Sequence, residues 1–329
     1  MSDRTAILQL MQTRGLGPRT LAQMLARLAQ EGRSAADLIA TPADELTRRY
    51  GLKPDVARAL VGGQRQAEQL SEELERRGIR VLVRGIAGYP ARLTRVLGGD
   101  TPPVLFMAGN PALLERKSVS FSGARDASEE GLRLTQRLAH FLGQHGVNIV
   151  SGHAHGVDLT AHCAALAAGG TTALVLAEGL LRFHGKPGLA ELLGEDNYVV
   201  LSEFTPRQSW SVGNAMQRNR TICGLADAVL VVEAGLTGGT FAAGQAALEL
   251  RQPLFVVSYP IPPPSAKGNA VLLQQGGRPL SCRPGSDPDV TPIVRLLEQA
   301  EDIPPSSAAG KARAEPVQRD LFDEFGEAE

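Results

Sequence analysis

The sequence predicts an α/β fold with a doubly wound, mainly parallel sheet, preceded by a small all-helical domain. From residue 78 onward, short β-branched runs bounded by glycine alternate with helical periodicity, a pattern typical of parallel βαβ units. Ahead of that point, residues 1–77 carry helical periodicity alone. Several predicted strands also end in glycine-rich turns that lead into a helix, as α/β folds do where they hold a phosphate.

The helical region opens with two short amphipathic helices joined by Gly15–Leu16–Gly17–Pro18. This turn is similar to a helix-hairpin-helix or SAM-like element, whose backbone N–H groups can meet a DNA phosphate. An ordinary turn in a small bundle explains the same residues, and we favour it. A third periodic stretch over about 55–77 ends at Gly78, before a predicted strand at 79–83.

The other predicted strands and helices alternate along the chain without an internal repeat. Strands are predicted near 104–107, 119–123, 147–151, 172–177, 198–202, 228–233 and 253–257, and helices over 128–145, 157–169, 187–194, 214–226 and 240–250. After about residue 300, proline, serine and alanine give way to charged residues, which is typical of flexible chain. The predicted domains are therefore 1–77, 78–285, and a linker with a flexible acidic tail at 286–329.

The composition is typical of a globular protein and excludes several other classes. The 329 residues are 43% hydrophobic and 21% charged, which suits one α/β core with small additions. There is no apolar run of membrane-spanning length and no signal-peptide pattern, so we expect no membrane role. The cysteines (Cys163, Cys223 and Cys282) fit neither zinc nor disulfide spacing, so a reducing cytoplasm is expected. A net charge of −1 and an aromatic content of 4% argue against a uniformly basic surface and an extended stacking platform.

The first phosphate-type turn follows the strand near 119–123. We expect Gly123 to let the backbone approach an anion and Arg125 to make a bidentate phosphate contact. A plain strand-to-helix turn with a surface arginine explains the same residues. The spacing differs from the Gly-x-Gly-x-x-Gly fingerprint of dinucleotide sites, so no cofactor is indicated.

The second turn, Ser151–Gly152 onward, contains more polar residues. Asp158 and His162 are four residues apart and so share a helix face. A helix cap by Asp158 and a packed, hydrogen-bonded His162 explain them without a ligand. His153, His155 and His162 lack an acidic or thiol partner at ligand spacing, so we expect no metal. We likewise infer no catalytic triad, because no nucleophile-elbow pattern is present.

Two later segments add candidate anion contacts. Arg218–Asn219–Arg220 at a helix start would straddle a phosphodiester backbone, although solvated surface arginines are common. Thr237–Gly238–Gly239–Thr240 supplies a helix N-terminus with hydroxyls, or simply an N-cap by Thr240. Ser202–Glu203 ends another strand on the same edge of the sheet. Taken together, these turns predict a ligand with several phosphates or a strand of nucleic acid.

The order and spacing of these segments resemble the DNA-processing protein A family, also called DprA or Smf. The similarity covers about residues 79–280. The residues that carry it are Gly123–Ala124–Arg125, Ser151–Gly152 through Ala161–His162, Thr172 through Gly179, Ser202–Glu203, Arg218–Asn219–Arg220 with Gly224–Leu225, Val231 through Ala234, Thr237 through Thr240, and Gly268–Asn269. The resemblance is to a divergent member of that family, since Ala124 stands where the family has serine and Ala215–Met216 where it has a Phe-Pro pair.

The resemblance implies an extended Rossmann-like domain that binds single-stranded DNA without catalysis. It further implies protection of incoming or recombining DNA, loading of the RecA recombinase and a homodimer, in natural transformation, recombination or repair. By position, the DNA groove would be lined by Gly123, Arg125, Ser151, Gly152, Arg218, Asn219, Arg220, Gly238, Gly239 and Thr240, and Lys186 and Lys267 would extend it. Supporting roles fall to Asp158, His162, Ser202, Glu203, Glu233 and Asn269.

The acidic tail holds one further motif. Gln318–Arg319–Asp320–Leu321–Phe322 resembles the peptide that docks on the bacterial replication sliding clamp. Gln318 and Asp320 would be its polar positions, and Leu321 and Phe322 its two apolar anchors. The alternative is that these residues are a short amphipathic segment of an acidic tail with no binding role.

Two other functions stay open. Related Rossmann-like phosphoribohydrolases share a loop like Thr237–Gly238–Gly239–Thr240, but Ala243, Gly244 and Gln245 stand where their glutamate would be sought. Without that carboxylate, hydrolysis of an N-glycosidic bond lacks its acid/base. A nucleotide-binding sensor remains the other alternative, because the same turns would hold a mononucleotide.

Overall fold

The N-terminal region of the chain is helical, as the periodicity predicts. The computed structural model describes residues 1–281 and 289–300. Ahead of the sheet lie α1 (Asp3–Gln12), α2 (Pro18–Gln30), α3 (Ala35–Ile39), α4 (Ala43–Tyr50), α5 (Pro54–Gly62) and α6 (Gln64–Arg76). The turn before α2 depends on Gly15, whose φ of 90° lies in the left-handed region. The periodic stretch over 55–77 is two helices, because the chain turns at Gly63.

Nine strands in the described part of the chain form one sheet. They are β1 (Arg80–Val83), β2 (Val104–Gly109), β3 (Ser118–Ser122), β4 (Asn148–Ser151), β5 (Thr171–Leu176), β6 (Tyr198–Ser202), β7 (Ala228–Val231), β8 (Leu254–Ser258) and β9 (Arg278–Ser281). Their spatial order is β1-β2-β6-β5-β4-β3-β7-β8-β9. Only the β1–β2 and β2–β6 pairs are antiparallel, so the predicted mainly parallel sheet is confirmed.

The direction of winding reverses beside β3. From β3 the chain moves through β4, β5 and β6 toward one edge, and then returns to place β7, β8 and β9 on the other side. The loops that leave the carboxyl ends of β3 and β7 therefore diverge. Such a switch point leaves a crevice in which doubly wound sheets bind ligands.

The helices that follow lie on both faces of the sheet. They are α7 (Ala91–Leu97), α8 (Glu129–Gln144), α9 (Val157–Ala167), α10 (Val212–Leu225), α11 (Gly239–Glu249), α12 (Asn269–Gln274) and α13 (Thr291–Gln299). The helix predicted over 187–194 is wrong, since only a 3-10 turn forms at Ala190–Leu192. Pro187 and Gly188, whose φ is 79°, stop a helix from propagating there. The sequence patterns also gave no indication of α7, α12, α13 or β9.

The helical region and the sheet share one hydrophobic cluster. Leu10 and Leu74 of the helices belong to the same buried set as Phe106 and Val200 of the sheet. A second cluster lies under α8 and α9, around Phe121. No helix in the described ranges has the length and apolar content needed to cross a bilayer.

Candidate nucleic-acid interface

A pocket of about 300 Å³ opens at the switch point between β3 and β7. We call it the strand-end pocket. Its lining comes from β3 and the turn after it, from the turn after β4, from β7, and from α9, α10 and α11: Ser120, Phe121, Ser122, Gly123, Arg125, Ala154, Asp158, Ala215, Arg218, Asn219, Ile222, Cys223, Val229, Gly239, Thr240 and Ala243. Six of the residues predicted to line a DNA groove are among them. The structure thus gathers three of the separate sequence segments around one cavity.

Arg218 is the buried cation of this pocket. It projects from α10 and is 8% exposed. Burial lowers the pKa of its guanidinium, and the carboxylates of Asp158 and Glu203 oppose that effect. Its Nε is buried without a hydrogen-bond partner among the described residues. A buried donor without a partner costs free energy, and an anionic ligand would supply the missing acceptor.

Gly152 makes room for Arg218. A β-carbon built on Gly152 would overlap Arg218 Nη1 and crowd Asp158 Oδ2. Ser151, the preceding residue, is fully buried and donates its hydroxyl to the Phe121 carbonyl oxygen at 2.8 Å. Neither residue lines the strand-end pocket, and their predicted contact with DNA stays a prediction.

His162 and Asp158 support the same turn from α9. The His162 ring is fully buried between Thr172 Oγ1, at 2.5 Å, and the Gly152 carbonyl oxygen, at 2.7 Å. Burial lowers the pKa of His162, and its Nε2 donates to the Gly152 carbonyl oxygen, which can only accept. Asp158 Oδ2 accepts the Ala154 N–H at 3.2 Å. Asp158 lies within the first turn of α9, whose N-cap is Gly156, so the predicted cap by Asp158 is wrong.

Arg125 follows the carboxyl end of β3 and is exposed at the mouth of the pocket. Its Cζ lies 5.5 Å from the centroid of the Trp210 ring. A guanidinium over an indole face is a cation–π contact, which holds the charge while leaving its N–H groups free to donate. Gly123 of the same turn packs against Val157, where a β-carbon would collide.

The start of α11 forms the opposite wall. Asn219 Nδ2 donates to the Gly239 carbonyl oxygen at 3.0 Å and so ties α10 to this turn. The N-cap of α11 is Gly238, with a φ of 98° and no side-chain cap, so the predicted cap by Thr240 is wrong. The N–H groups of the first turn therefore lack a side-chain acceptor and suit an anion.

Arg220 lies outside the strand-end pocket. Its guanidinium pairs with Asp100 at 3.3 Å and with Glu249 at 3.2 Å. Residues two apart on a helix lie on nearly opposite faces, so Arg218 and Arg220 cannot reach the same cavity. Of these two arginines, Arg218 lines the strand-end pocket and Arg220 does not.

The two predicted lysines differ in position. Lys186 Nζ donates to the His153 carbonyl oxygen at 2.6 Å. Burial lowers the pKa of this ammonium, Asp158 raises it and Arg125 lowers it further; both of these side chains line the strand-end pocket, so Lys186 lies beside it. Lys267 is exposed and is not part of the lining.

Glu233 and Asn269 stabilise the loops beside β7 rather than the cavity itself. The fully buried carboxylate of Glu233 accepts hydrogen bonds from the Ser128 N–H and hydroxyl, the Tyr259 hydroxyl and the Ser265 hydroxyl. Asn269 accepts the Ala234 N–H and donates to the carbonyl oxygens of Val232 and Val257, all within 2.9 Å. Both side chains thus fix the strand ends from which the pocket loops depart.

Ser202 and Glu203 end β6 behind Arg218. The Ser202 hydroxyl donates to the Glu178 carbonyl oxygen at 2.6 Å. Glu203 accepts hydrogen bonds from Gln217 and Thr221, and burial raises the pKa of its carboxyl. They support α10 and do not contact the cavity.

The histidines of the second turn do not converge. His153 lies against Phe183, with ring centroids 5.1 Å apart, and burial lowers its pKa to about 3. Within the described ranges, no three His, Cys, Asp or Glu side chains lie close enough together to hold a metal ion.

Sequence reasoning missed several pocket residues. Ser120 and Ser122 alternate along β3 with buried apolar residues, a pattern that could have identified them. Trp210 gave a weaker signal: it is the single tryptophan and directly precedes Ser211, the N-cap of α10. The predicted clamp-binding residues Gln318, Asp320, Leu321 and Phe322 lie outside the described residues.

Comparison with known proteins matches this architecture to one family. The family model described as DNA recombination-mediator protein A matches residues 80–284. DNA processing protein DprA of Streptococcus pneumoniae is 33% identical over 192 residues, 58% of this chain and 67% of that protein. Protein Smf of Escherichia coli is 35% identical over 190 residues, 57% of this chain and 50% of that protein. The matched segment thus spans about half to two thirds of the length of these relatives.

Solved structures agree on the fold. The X-ray structure of DNA processing protein A from Streptococcus pneumoniae aligns with a TM-score of 0.71 and 25% identity, over 85% of this chain and 95% of that one. A structure of DNA processing protein A from Helicobacter pylori, reported for its single-stranded DNA binding mode, aligns with a TM-score of 0.54 and 24% identity. The alignment covers 67% of this chain and 94% of that one. The expected Rossmann-like sheet with a helical region ahead of it is confirmed.

Proposed function

This chain belongs to the DNA recombination-mediator protein A family, and from that premise we propose that it binds single-stranded DNA through phosphate contacts in the strand-end pocket. The observation that carries the proposal is Arg218. It is a buried cation with an unpartnered Nε, and it lines a cavity at the switch point of the sheet. A phosphate oxygen would supply the acceptor that Nε lacks.

The other cationic and polar groups extend this anion site. Arg125 lies at the mouth, Lys186 beside it, and the uncapped N-terminus of α11 forms the far wall. Contacts of this kind position a nucleic-acid backbone without reading its sequence. The relative from Helicobacter pylori is described as a single-stranded DNA binder, which agrees with this assignment.

The finer role follows from family membership. We propose a non-enzymatic protein of recombination and natural transformation that protects single-stranded DNA, acts as a homodimer in the cytoplasm and helps load RecA. Asp158 is the one carboxylate in the described lining of the strand-end pocket, and it acts on the charge of Arg218. Ala243 stands in the lining where a phosphoribohydrolase would need its acid. A sliding-clamp contact through Leu321 and Phe322 stays part of the proposal.

Fluorescence anisotropy with a labelled oligo-dT tests the proposal. Arg125→Ala should weaken binding about 10-fold or more, because a charge-assisted phosphate contact contributes about 1.5–3 kcal/mol. Arg218→Lys, which keeps the charge opposite Asp158, should weaken binding because an ammonium has no donor at the Nε position. Arg220→Ala is the matched control, since its guanidinium pairs with Asp100 and Glu249 away from the pocket. Equal binding by wild type, Arg125→Ala and Arg218→Lys would contradict the assignment.

A mononucleotide is the second candidate ligand. The pocket volume of about 300 Å³ lies at the lower end of the range for small-molecule sites. Calorimetric titration with thymidine monophosphate, beside the oligonucleotide, distinguishes the two. Tight binding of the mononucleotide together with weak binding of the oligonucleotide would favour a nucleotide sensor.

A further inference from the structure

We propose that Trp210 is a nucleobase-stacking residue at the mouth of the strand-end pocket, in a subsite that it forms with Arg125. This inference rests on the proposed binding of single-stranded DNA. It assigns to the mouth of the pocket a ligand group, the base, that differs from the phosphate held inside. It therefore identifies the recognised unit as a nucleotide of an unpaired strand.

The Trp210 side chain does not pack in the hydrophobic core. Trp210 is 46% exposed and belongs to none of the hydrophobic clusters formed by the described residues. Tryptophan is enriched where proteins bind partners, because its large ring contributes apolar contact area and its N–H a hydrogen bond. The exposed side chains of Val212 and Met216 follow it at the start of α10.

The backbone that carries the ring is held in place on both sides. The Gly179 N–H donates to the Gln208 carbonyl oxygen at 2.8 Å. Asn214 Nδ2 donates to the carbonyl oxygens of Ala177 and Ser209 at 3.1 and 3.2 Å. Ser211 caps α10 by accepting the Asn214 N–H. Trp210 therefore projects from a segment tied to the end of β5, so the backbone that presents its ring needs little ordering when a ligand binds.

Arg125 joins the ring to the pocket. Its Cζ lies 5.5 Å from the Trp210 ring centroid, while the same side chain contributes to the pocket lining. The pocket lining contains cationic and polar groups, and an indole ring lies at its mouth beside Arg125. This arrangement corresponds to the two parts of a nucleotide, since the phosphate is anionic and every base offers a π face.

An unpaired strand satisfies this arrangement and a duplex does not. Bases in a duplex are stacked on each other and shield their faces, whereas those of a single strand can leave the stack for an aromatic side chain. A stacking contact reads no particular base, so the subsite should favour unpaired over paired DNA without strong sequence preference.

The test compares two labelled strands of equal length, oligo-dT and the corresponding abasic phosphodiester. Wild type should bind oligo-dT at least 5-fold more tightly than the abasic strand. Trp210→Ala should lower affinity for oligo-dT by about 5-fold to 100-fold and leave affinity for the abasic strand unchanged. Trp210→Phe should retain most of the binding, since a phenyl ring also stacks. Val61→Ala is the matched control, because Val61 has the same 46% exposure but lies on α5.

The single tryptophan gives a second readout. In wild type its emission should be quenched by oligo-dT and not by the abasic strand. The stacking assignment is overturned if Trp210→Ala weakens binding of both strands equally or leaves oligo-dT binding unchanged. It is also overturned if light scattering shows that Trp210→Ala changes the oligomeric state while the preference for oligo-dT over the abasic strand stays the same. Loss of abasic-strand binding in Arg125→Ala tests the phosphate site separately. If wild type binds neither strand, both the proposed function and the stacking subsite are wrong.

Discussion

At the scale of single residues, Arg218 can be buried because residue 152 is a glycine and has no side chain. Arg218 occupies the space that a β-carbon at Gly152 would take, and it lies between the carboxylates of Asp158 and Glu203. Two acids on different elements offset the desolvation of one guanidinium. The charge is therefore retained inside the protein, at a point where a ligand can reach it.

His153 provides a residue-scale prediction on pH. Burial and the nearby cations lower the pKa of His153 in the folded state to about 3, from 6.5 for a histidine in water. The unfolded chain thus binds more protons between these values, so the free energy of unfolding falls as pH drops from 6.5 toward 3 and is unaffected above that window. Between pH 7 and pH 4.5, the free energy of unfolding of His153→Gln should fall by about 2 kcal/mol less than that of wild type, because glutamine takes up no proton. Urea denaturation at the two pH values measures this difference.

The control for this prediction is His140→Gln, since His140 is exposed on α8 and meets water in both states. Its denaturation should follow the wild-type pH curve. Identical curves for wild type and His153→Gln would mean that the ring at position 153 is solvated when the protein is folded.

At the scale of elements, the pocket depends on how strand ends are fixed. Asn269, the first residue of α12, joins the backbone after β7 to that of β8 through three hydrogen bonds. Glu233 joins the same region to Ser128, the N-cap of α8. The loops of the pocket therefore start from anchored backbone, which keeps the start of α11 opposite Arg218.

We expect Asn269→Ala to destabilise the fold by about 2–4 kcal/mol. The substitution leaves buried backbone groups at Ala234, Val232 and Val257 without partners, and each such loss costs about 1–3 kcal/mol, partly recovered by water. Gln274→Ala, an exposed change on the same helix, should stay within about 0.5 kcal/mol of wild type. A denaturation midpoint for Asn269→Ala equal to that of Gln274→Ala would refute the anchoring role.

Elements also show where local patterns failed. The stretch 187–194 has apolar spacing that suits a helix, but Gly188 at positive φ and the preceding proline keep it to one 3-10 turn. The strand β9 escaped detection because it is short, mostly exposed and contains Pro279. In the first case proline and glycine overrode the apolar spacing, and in the second case pairing with β8 made a strand of a segment that has no strand pattern.

At the scale of the whole molecule, binding must come from local charge, because the net charge is only −1. Arg125, Arg218 and Lys186 gather at one edge of the sheet. Arg220, by contrast, is neutralised by two acids elsewhere. The electrostatic attraction for DNA should therefore be short-ranged and limited to few phosphates.

The salt dependence of oligo-dT binding measures this directly. Three cations on a single strand predict a slope of log K against log salt of about −2, at roughly 0.7 per phosphate contact. Arg125→Ala should bring the slope to about −1.4, while Arg220→Ala leaves it at the wild-type value. A wild-type slope of about −5 or steeper would show that cations outside the pocket, such as those of the helical region, carry the binding.

The sequence by itself determined the alternation of helices and strands, the glycine-rich strand ends and the family resemblance. These are local properties, because hydrophobic period, β-branching and turn residues act over a few neighbours in the chain. It also identified Gly123, Arg125, Arg218, Asn219 and Gly239 as one set. The predicted sheet then brought their strand ends to one edge.

Only the tertiary structure decided which of those side chains share a cavity. The rotation of α10 about its axis directs Arg218 inward and Arg220 toward Asp100 and Glu249, and no local pattern encodes that rotation. The order of the strands likewise created the crevice between β3 and β7 and set Trp210 against Arg125. Contacts between residues far apart in the chain depend on how whole elements pack, and that packing is fixed by the complete buried surface rather than by any one segment.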